Sequence, residues 1–308
     1  MIINSKKPLL ASILLASALS ANDTLTQVSF EQDNDGNFNP NIFIPVYWTD
    51  NVYSGIGYTS NTTKDIGVVD GFIDSKNGMV ATSRDMRLNW LTYKFGNFSA
   101  GLQSNFLNID KNEFGYIHDS ADLFGNGTNY YIAFDNDIEL DIVKTGFYID
   151  YSTKIDNLLL RGSSTITPST KIDVKQSTLF KPLVNDIGSS SSSTSQDLSY
   201  GVKLEAYYDT NSFVKLGFEY SYDYMPIKYD IAQLAVENNA YVFNTTTIDT
   251  DETTTKYLAK LYFDKKMLGG LTPTIGFGSI ETEVKNNDSG KKSKSDESIV
   301  SVGFERRF

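Results

Sequence analysis

The stretch that decides the fold runs from Asp197 to Tyr224, DLSYGVKLEAYYDTNSFVKLGFEYSYDY. Its first half puts Leu198, Tyr200, Val202, Leu204, Ala206 and Tyr208 on one face and Ser199, Gly201, Lys203, Glu205 and Tyr207 on the other. Its second half sets Val214, Leu216, Phe218, Tyr220, Tyr222 and Tyr224 against Lys215, Gly217, Glu219, Ser221 and Asp223. Strict alternation is the period of a β-strand with one apolar face. Only Asp209-Thr210-Asn211 separates the halves, which spells a tight hairpin.

The same period returns along the chain. Phe98, Ala100, Leu102, Ser104 and Phe106 alternate, as do Val143, Thr145, Phe147, Ile149 and Tyr151. Tyr257, Ala259, Leu261 and Phe263 oppose Lys256, Lys260 and Asp264, and Val300, Val302, Phe304 and Phe308 oppose Ser301, Gly303, Glu305 and Arg307. A soluble β-sandwich alternates too. Three features favour a barrel in a membrane. The patterned runs reach about ten residues or more, the length of a tilted membrane strand. Their apolar faces often begin or end in aromatics, as interfacial girdles do, and the connections alternate short and long.

Counted back from the end, VKNNDSGKKSKSDES is long, KKMLGG short, Pro226 to Thr253 long, DTN short, KPLVNDIGSSSSSTSQ long, ELD (139–141) and FGN (95–97) short, and Asp110 to Gly127 long. This parity gives strands near residues 25, 52, 64, 86, 98, 128, 142, 157, 171, 198, 212, 254, 271 and 297. The expectation is therefore an all-β, transmembrane antiparallel up-and-down barrel of 12–14 strands, with 14 the favoured count and 12 if one hairpin is dropped. Ser189 to Ser193 and Lys291 to Lys294 read as flexible outward loops.

The chain opens MIINSKKPLLASILLASALSAND, with Lys6 and Lys7, an apolar run from Pro8 to Leu19, and small residues at Ala18 to Ala21. That is the composition of a secretory signal peptide over 1–21, leaving 22–308 as one barrel domain. Without Lys6 and Lys7 the net charge goes from −11 to −13, which argues against nucleic acid as a partner. No cysteine and a single histidine exclude disulfides, thiolate metal sites and most histidine ones, so neither metal nor cofactor is expected. No apolar run is long enough for a transmembrane helix after the signal.

The final strand ends in SVGFERRF, where Val300, Val302, Phe304 and Phe308 share a face. This resembles the assembly signal of Gram-negative outer-membrane proteins. The resemblance implies insertion into outer-membrane lipid through the barrel-assembly machinery. Arg306 interrupts the apolar face near the membrane edge, where a long cation can snorkel.

The inward faces carry Lys144, Asp150, Lys203, Glu205, Lys215, Glu219, Asp223, Lys256, Lys260, Glu305 and Arg307. They fit a water-filled lumen passing small hydrophilic solutes, and equally ion-pair ladders filling it. In GYIHDSADLF, His118 and Ser120 resemble the H-x-S of outer-membrane phospholipase A, although Ala121 and Asp122 stand where that family has Asn and Gly. EQDNDGNFNPNIFIPVYWTDNVYSGIGYTS resembles lipid A 3-O-deacylases through Asn34-Asp35, TDNVYSG and the later His118. That resemblance implies Ser54 or a water acting with His118, and Asn34 and Asp35 near calcium. Glu31, Asp33, Asp35 and Gly36 also imitate half a calcium loop, but Ile42 stands where the closing Glu belongs, and an Asp-Gly, Asn-Pro turn explains the same residues. A small porin-like diffusion channel leads. A lipid hydrolase using His118 and a structural or adhesive barrel acting through its loops are the alternatives.

Overall fold

The computed structural model describes residues 26–32, 38–68, 76–118, 131–181, 187–195, 197–237, 240–263 and 272–306. All the regular structure among them is β. The strands are β1 (Thr26–Gln32), β2 (Phe38–Thr49), β3 (Val52–Val68), β4 (Lys76–Phe95), β5 (Phe98–His118), β6 (Tyr131–Ile155) and β7 (Leu158–Lys181). They continue as β8 (Ile187–Ser195), β9 (Ser199–Tyr208), β10 (Val214–Glu237), β11 (Ala240–Phe263), β12 (Thr272–Asn286) and β13 (Lys292–Arg306).

Every pairing is antiparallel, and the sheet closes. β1 pairs with β2 and with β13, and β6 pairs with β7. β9 pairs with the lower part of β7, and β8 continues the line of β9 upward along the upper part of β7. Counting β8 with β9, the barrel has 12 strands, not 14. Closure removes the open edges that lipid would not tolerate.

One end of the barrel holds Thr26, Arg306 and the turns at 50–51, 96–97, 156–157 and 209–213. Two of these turns are two residues long and begin with a positive φ, 61° at Gly96 and 51° at Asp156, the geometry that matches strand twist in a tight hairpin. Short turns mark the periplasmic end of an outer-membrane barrel, so the other end faces outward.

The exterior near the turns is apolar. Ile56, Leu102, Phe147, Ile149, Val202, Leu204, Leu216, Phe218, Phe277, Val300 and Val302 are exposed. Below them run Trp48, Trp90, Tyr93, Phe95, Phe98, Tyr151, Tyr208 and Phe213, and above them Tyr58, Tyr200, Tyr222 and Tyr224. On β9 the step from Tyr208 to Tyr200 is eight residues. At about 3.4 Å per residue and a tilt near 40° that is roughly 20 Å along the barrel axis, close to the apolar band of such barrels.

Above this band the polarity inverts. On β6 the inward residues from the bottom are Asp150, Tyr148 and Lys144, then Ile142, Leu140 and Ile138, while Asp141, Glu139 and Asp137 turn outward. On β10 the lower outward face is Leu216 to Tyr224, but Met225 and Ile227 point inward. On β7 a bulge between Ile166 and Ser169 performs the exchange, so Ile172 and Val174 are buried. Lipid surrounds the lower strand and water the upper one, so a single strand changes which face must be apolar.

Five expectations change. The strands near 52 and 64 are one strand, β3, and β2 stands where none was expected. ELD is not a turn but part of β6, the strands near 128 and 142 merge, and those near 157 and 171 merge into β7. Pro226 to Thr253 is not a loop but the tall arms of β10 and β11. Ser189 to Ser193 lie in β8. Lys292 and Lys294 lie in β13, paired with Glu283 at 2.7 Å and Glu281 at 2.8 Å. Residues 1–25, which include the expected signal peptide at 1–21, lie outside the described residues.

Candidate functional site

Inside the lower barrel the charged residues form a connected floor. Lys260 Nζ reaches Glu219 at 2.9 Å and Glu305 at 2.8 Å, and the Tyr262 hydroxyl donates to Glu305 at 3.2 Å. Lys203 lies 3.2 Å from Glu205 and 3.3 Å from Glu219, and Arg161 bridges Asp150 and, at 3.6 Å, Glu205. The register explains the design. Glu205 and Glu219 stand directly opposite each other on β9 and β10, an arrangement of like charges that requires cations beside it. Lys256 pairs with Glu31, and Lys215 with Asp209 at the periplasmic mouth, 2.6 Å apart.

Above the floor lies a cavity of about 440 Å³ bounded by β2 to β7 and β9 to β12. Asp85, Arg87, Gln103, Asn105 and Lys144 line one wall, and Lys203, Glu219, Ser221, Asp223 and Lys256 the other. A smaller annex of about 80 Å³ continues from it past Arg87 toward Asn89, Tyr53 and Tyr148. Arg87 stacks over Phe43 at 4.8 Å. Gly201 makes room for Asp223: a Cβ there would strike the Asp223 carboxylate and come within 2.9 Å of the Thr165 hydroxyl.

The roof is apolar. Directly above Lys144 on β6 comes Ile142, and above Asp223 on β10 comes Met225. Ile138, Leu140, Ile142, Ile172, Val174, Met225 and Ile227 form one cluster, with Leu107, Ile109, Tyr229 and Ile231 packed against it. Pairing of β10 with β9 stops at Tyr224, and pairing of β11 with β12 stops at Thr250. Higher up, no described ladder joins the hairpin 225–249 to a third strand, although β10 runs close beside β8 there. Its inward Met225 and Ile227 pack with the apolar residues of β6 and β7, with Leu107 and Ile109 of β5 against the same cluster. Pro226, which donates no backbone hydrogen bond, stands at the departure point, where no donor is required.

The expected site residues fall as follows. Lys144, Asp150, Lys203, Glu205, Lys215, Glu219, Asp223, Lys256, Lys260 and Glu305 all face the interior. Arg307 and Phe308 lie outside the described residues, while Val300 and Val302 are exposed on the apolar exterior. Ser120, Asn34 and Asp35 also lie outside the described residues. His118 is not in a surface loop but is the last residue of β5, paired with Tyr131. Ser54 sits near the opposite end, donating to the Trp90 carbonyl at 2.7 Å and accepting from the Trp48 indole at 2.9 Å. Its neighbour Gly55 is level with Asn89 and so with Gln103, fifteen residues below His118 on β5. At about 3.3 Å per residue that is roughly 50 Å, so the structure does not bring Ser54 and His118 together. Glu31 is committed to Lys256, and no cluster able to hold a metal occurs among the described residues. Sequence reasoning missed Asp85, Arg87 and Asn89, because polar residues on both faces of RDMRLNW hide the alternation.

A closed antiparallel barrel of 12 strands with a girdled apolar exterior and a charged interior is an outer-membrane β-barrel. No family model matches the sequence, and no curated protein does. Among solved structures it is similar to the Pseudomonas putida toluene transporter TodX, at 10% identity over 97% of this chain and 93% of that one, TM-score 0.49. The translocator domain of autotransporter NalP from Neisseria meningitidis is similar at 10% identity over 98% and 96%, TM-score 0.44. Outer membrane protease OmpT from Escherichia coli is similar at 11% identity over 92% of each chain, TM-score 0.37. Such distant likenesses concern the shape of the barrel and carry over no activity.

Proposed function

We propose that this barrel is a gated, porin-like diffusion path for small hydrophilic solutes. One observation carries the reading: a polar cavity of about 440 Å³ in the middle of the barrel, between an ion-paired floor and an apolar roof. A barrel built only as a scaffold gains nothing by holding charges of both signs around a cavity at membrane depth. The apolar roof is the natural gate, since a dry constriction blocks ions without a covalent stop. Ile227→Asn places a polar group in the roof. In planar bilayers the native barrel should show brief, infrequent conductance steps, and Ile227→Asn should lengthen them. Silence from both proteins would favour a second reading, a surface barrel acting through the tall arms of β5, β6, β7, β10 and β11.

Export fits the same reading. Cleavage after residue 21, insertion into outer-membrane lipid and recognition of Val300, Val302, Phe304 and Phe308 by the assembly machinery are part of the proposal. Amino-terminal sequencing of the barrel recovered from outer membranes tests the cleavage.

A further inference from the structure

The observations point past passage to binding. On β4 three successive inward residues each hold a buried polar atom with no protein partner: Asp85 Oδ1, Arg87 Nε and Asn89 Oδ1. Asn89 is only 5% exposed and lines the annex, while Arg87 lines both annex and cavity. A buried polar atom left without a partner loses its hydration and gains nothing in return, so three in one row beside a cavity call for a partner inside it.

The charges around the cavity define that partner. Arg87, Asn105 and Lys144 form one row across β4, β5 and β6, so the two cations stand roughly 10 Å apart on the same wall. Asp85 is one inward position above Arg87, and Asp223 faces the row from β10. Among the described residues neither Lys144, Asp85 nor Asp223 has an ion pair within 4.0 Å, although Lys203 and Lys256 beside them do. Charges of both signs therefore face the cavity without a contact ion pair, with Lys144 acting on Asp85, Asp223 and Glu252 only from a distance. A solute with a single charge would meet one set and leave the other exposed. A neutral solute would meet neither.

We infer that this cavity is a binding site for a small zwitterion of amino-acid size, its carboxylate toward Arg87 and Lys144 and its ammonium toward Asp85 and Asp223. The inference names the solute class for the diffusion path proposed above, but binding itself needs no passage. The test is calorimetry on the full barrel in detergent micelles with β-alanine, using propylamine and propionate as its single-charge counterparts. β-Alanine should bind at least about tenfold more tightly than either counterpart, because charged hydrogen bonds are lost at one end of each. Arg87→Gln and Asp223→Asn should each weaken β-alanine by about tenfold or more. Gly201→Ala, which displaces the Asp223 carboxylate without changing a charge, should act in the same direction. Heat-modifiable migration on gels confirms that each variant is folded. Propylamine binding as tightly as β-alanine would replace the inference by a cation site, propionate by an anion site, and no heat from any probe would leave only water in the cavity. Binding without conductance would remove the diffusion path and keep the site, whereas conductance without binding would do the reverse.

Discussion

Lys260 shows what an interior charge does in this barrel. It is 4% exposed and held between Glu219 and Glu305, the latter 1% exposed. Removing one member of a buried ion pair costs more than the pair contributes, because the remaining charge stays desolvated. Lys260→Met should therefore destabilise the barrel by about 3–5 kcal/mol, read as a lower urea midpoint for its heat-modifiable form. Glu219 keeps Lys203 in that variant, so Glu305 bears most of the loss. Adding Glu305→Gln should recover part of the midpoint, and an unchanged midpoint in Lys260→Met would mean that water screens the floor. Near the cavity the logic differs. Lys144 and Asp223 carry charges that no neighbour neutralises at contact distance, so their replacement should affect the cavity more than the fold.

The elements explain where the sequence is legible. On β9 and the lower part of β10, alternation displays both the strand and its inward charges, because one environment, lipid, surrounds the whole stretch. On β6 the apolar positions shift phase between Ile142 and Phe147, and the shift imitates a turn at ELD. The strand runs straight through, leaving the membrane as it rises. On β10 the same shift, together with Pro226, disguises the free hairpin as a loop. A phase change in hydrophobicity therefore has two physical causes, a turn or a change of solvent, and composition alone does not separate them. The cavity wall on β4 stays illegible for another reason: its inward Asp85, Arg87 and Asn89 alternate with Met86 and Leu88 but are preceded by Arg84 on the outer face.

Asn287 tethers the hairpin 225–249. Its side-chain amide donates to the Asp249 carboxylate at 2.8 Å and its backbone N–H to the Asp249 carbonyl at 2.9 Å, while Lys228, opposite Asp249 within the hairpin, donates to the same carboxylate at 2.8 Å. The Asn287 amide, then Lys228, hold the Asp249 carboxyl below the usual range. A lowered carboxyl stabilises at neutral pH and loses that contribution as the pH falls through its folded value, here below about pH 4. Channel opening should therefore rise modestly in that acid range, and Asp249→Asn should raise it already at neutral pH. Identical pH profiles for the two proteins would remove Asp249 from the hinge. At the end of the sequence, deleting Phe308 should reduce the amount of heat-modifiable barrel in outer membranes, and undiminished levels would make that aromatic incidental to assembly.

As a whole the molecule is a membrane barrel below and a water-facing, apolar-filled extension above, with a charged cavity at the junction. Closure sets the wall, the change of solvent sets the roof, and opposed carboxylates on neighbouring strands set the floor. The proposed diffusion path opens only when the hairpin moves away from the cavity. The chain has no cysteine, so Ile172→Cys with Ile227→Cys supplies its only two thiols, both in the roof. Joined by a short bis-maleimide that reduction cleaves, they tie the hairpin to β7. Single-channel recording in planar bilayers before and after reduction is the most direct test. Silence is expected while the link holds, and conductance steps once it is cut. Equal current in both states would contradict that reading, because solutes would then pass without the hairpin moving.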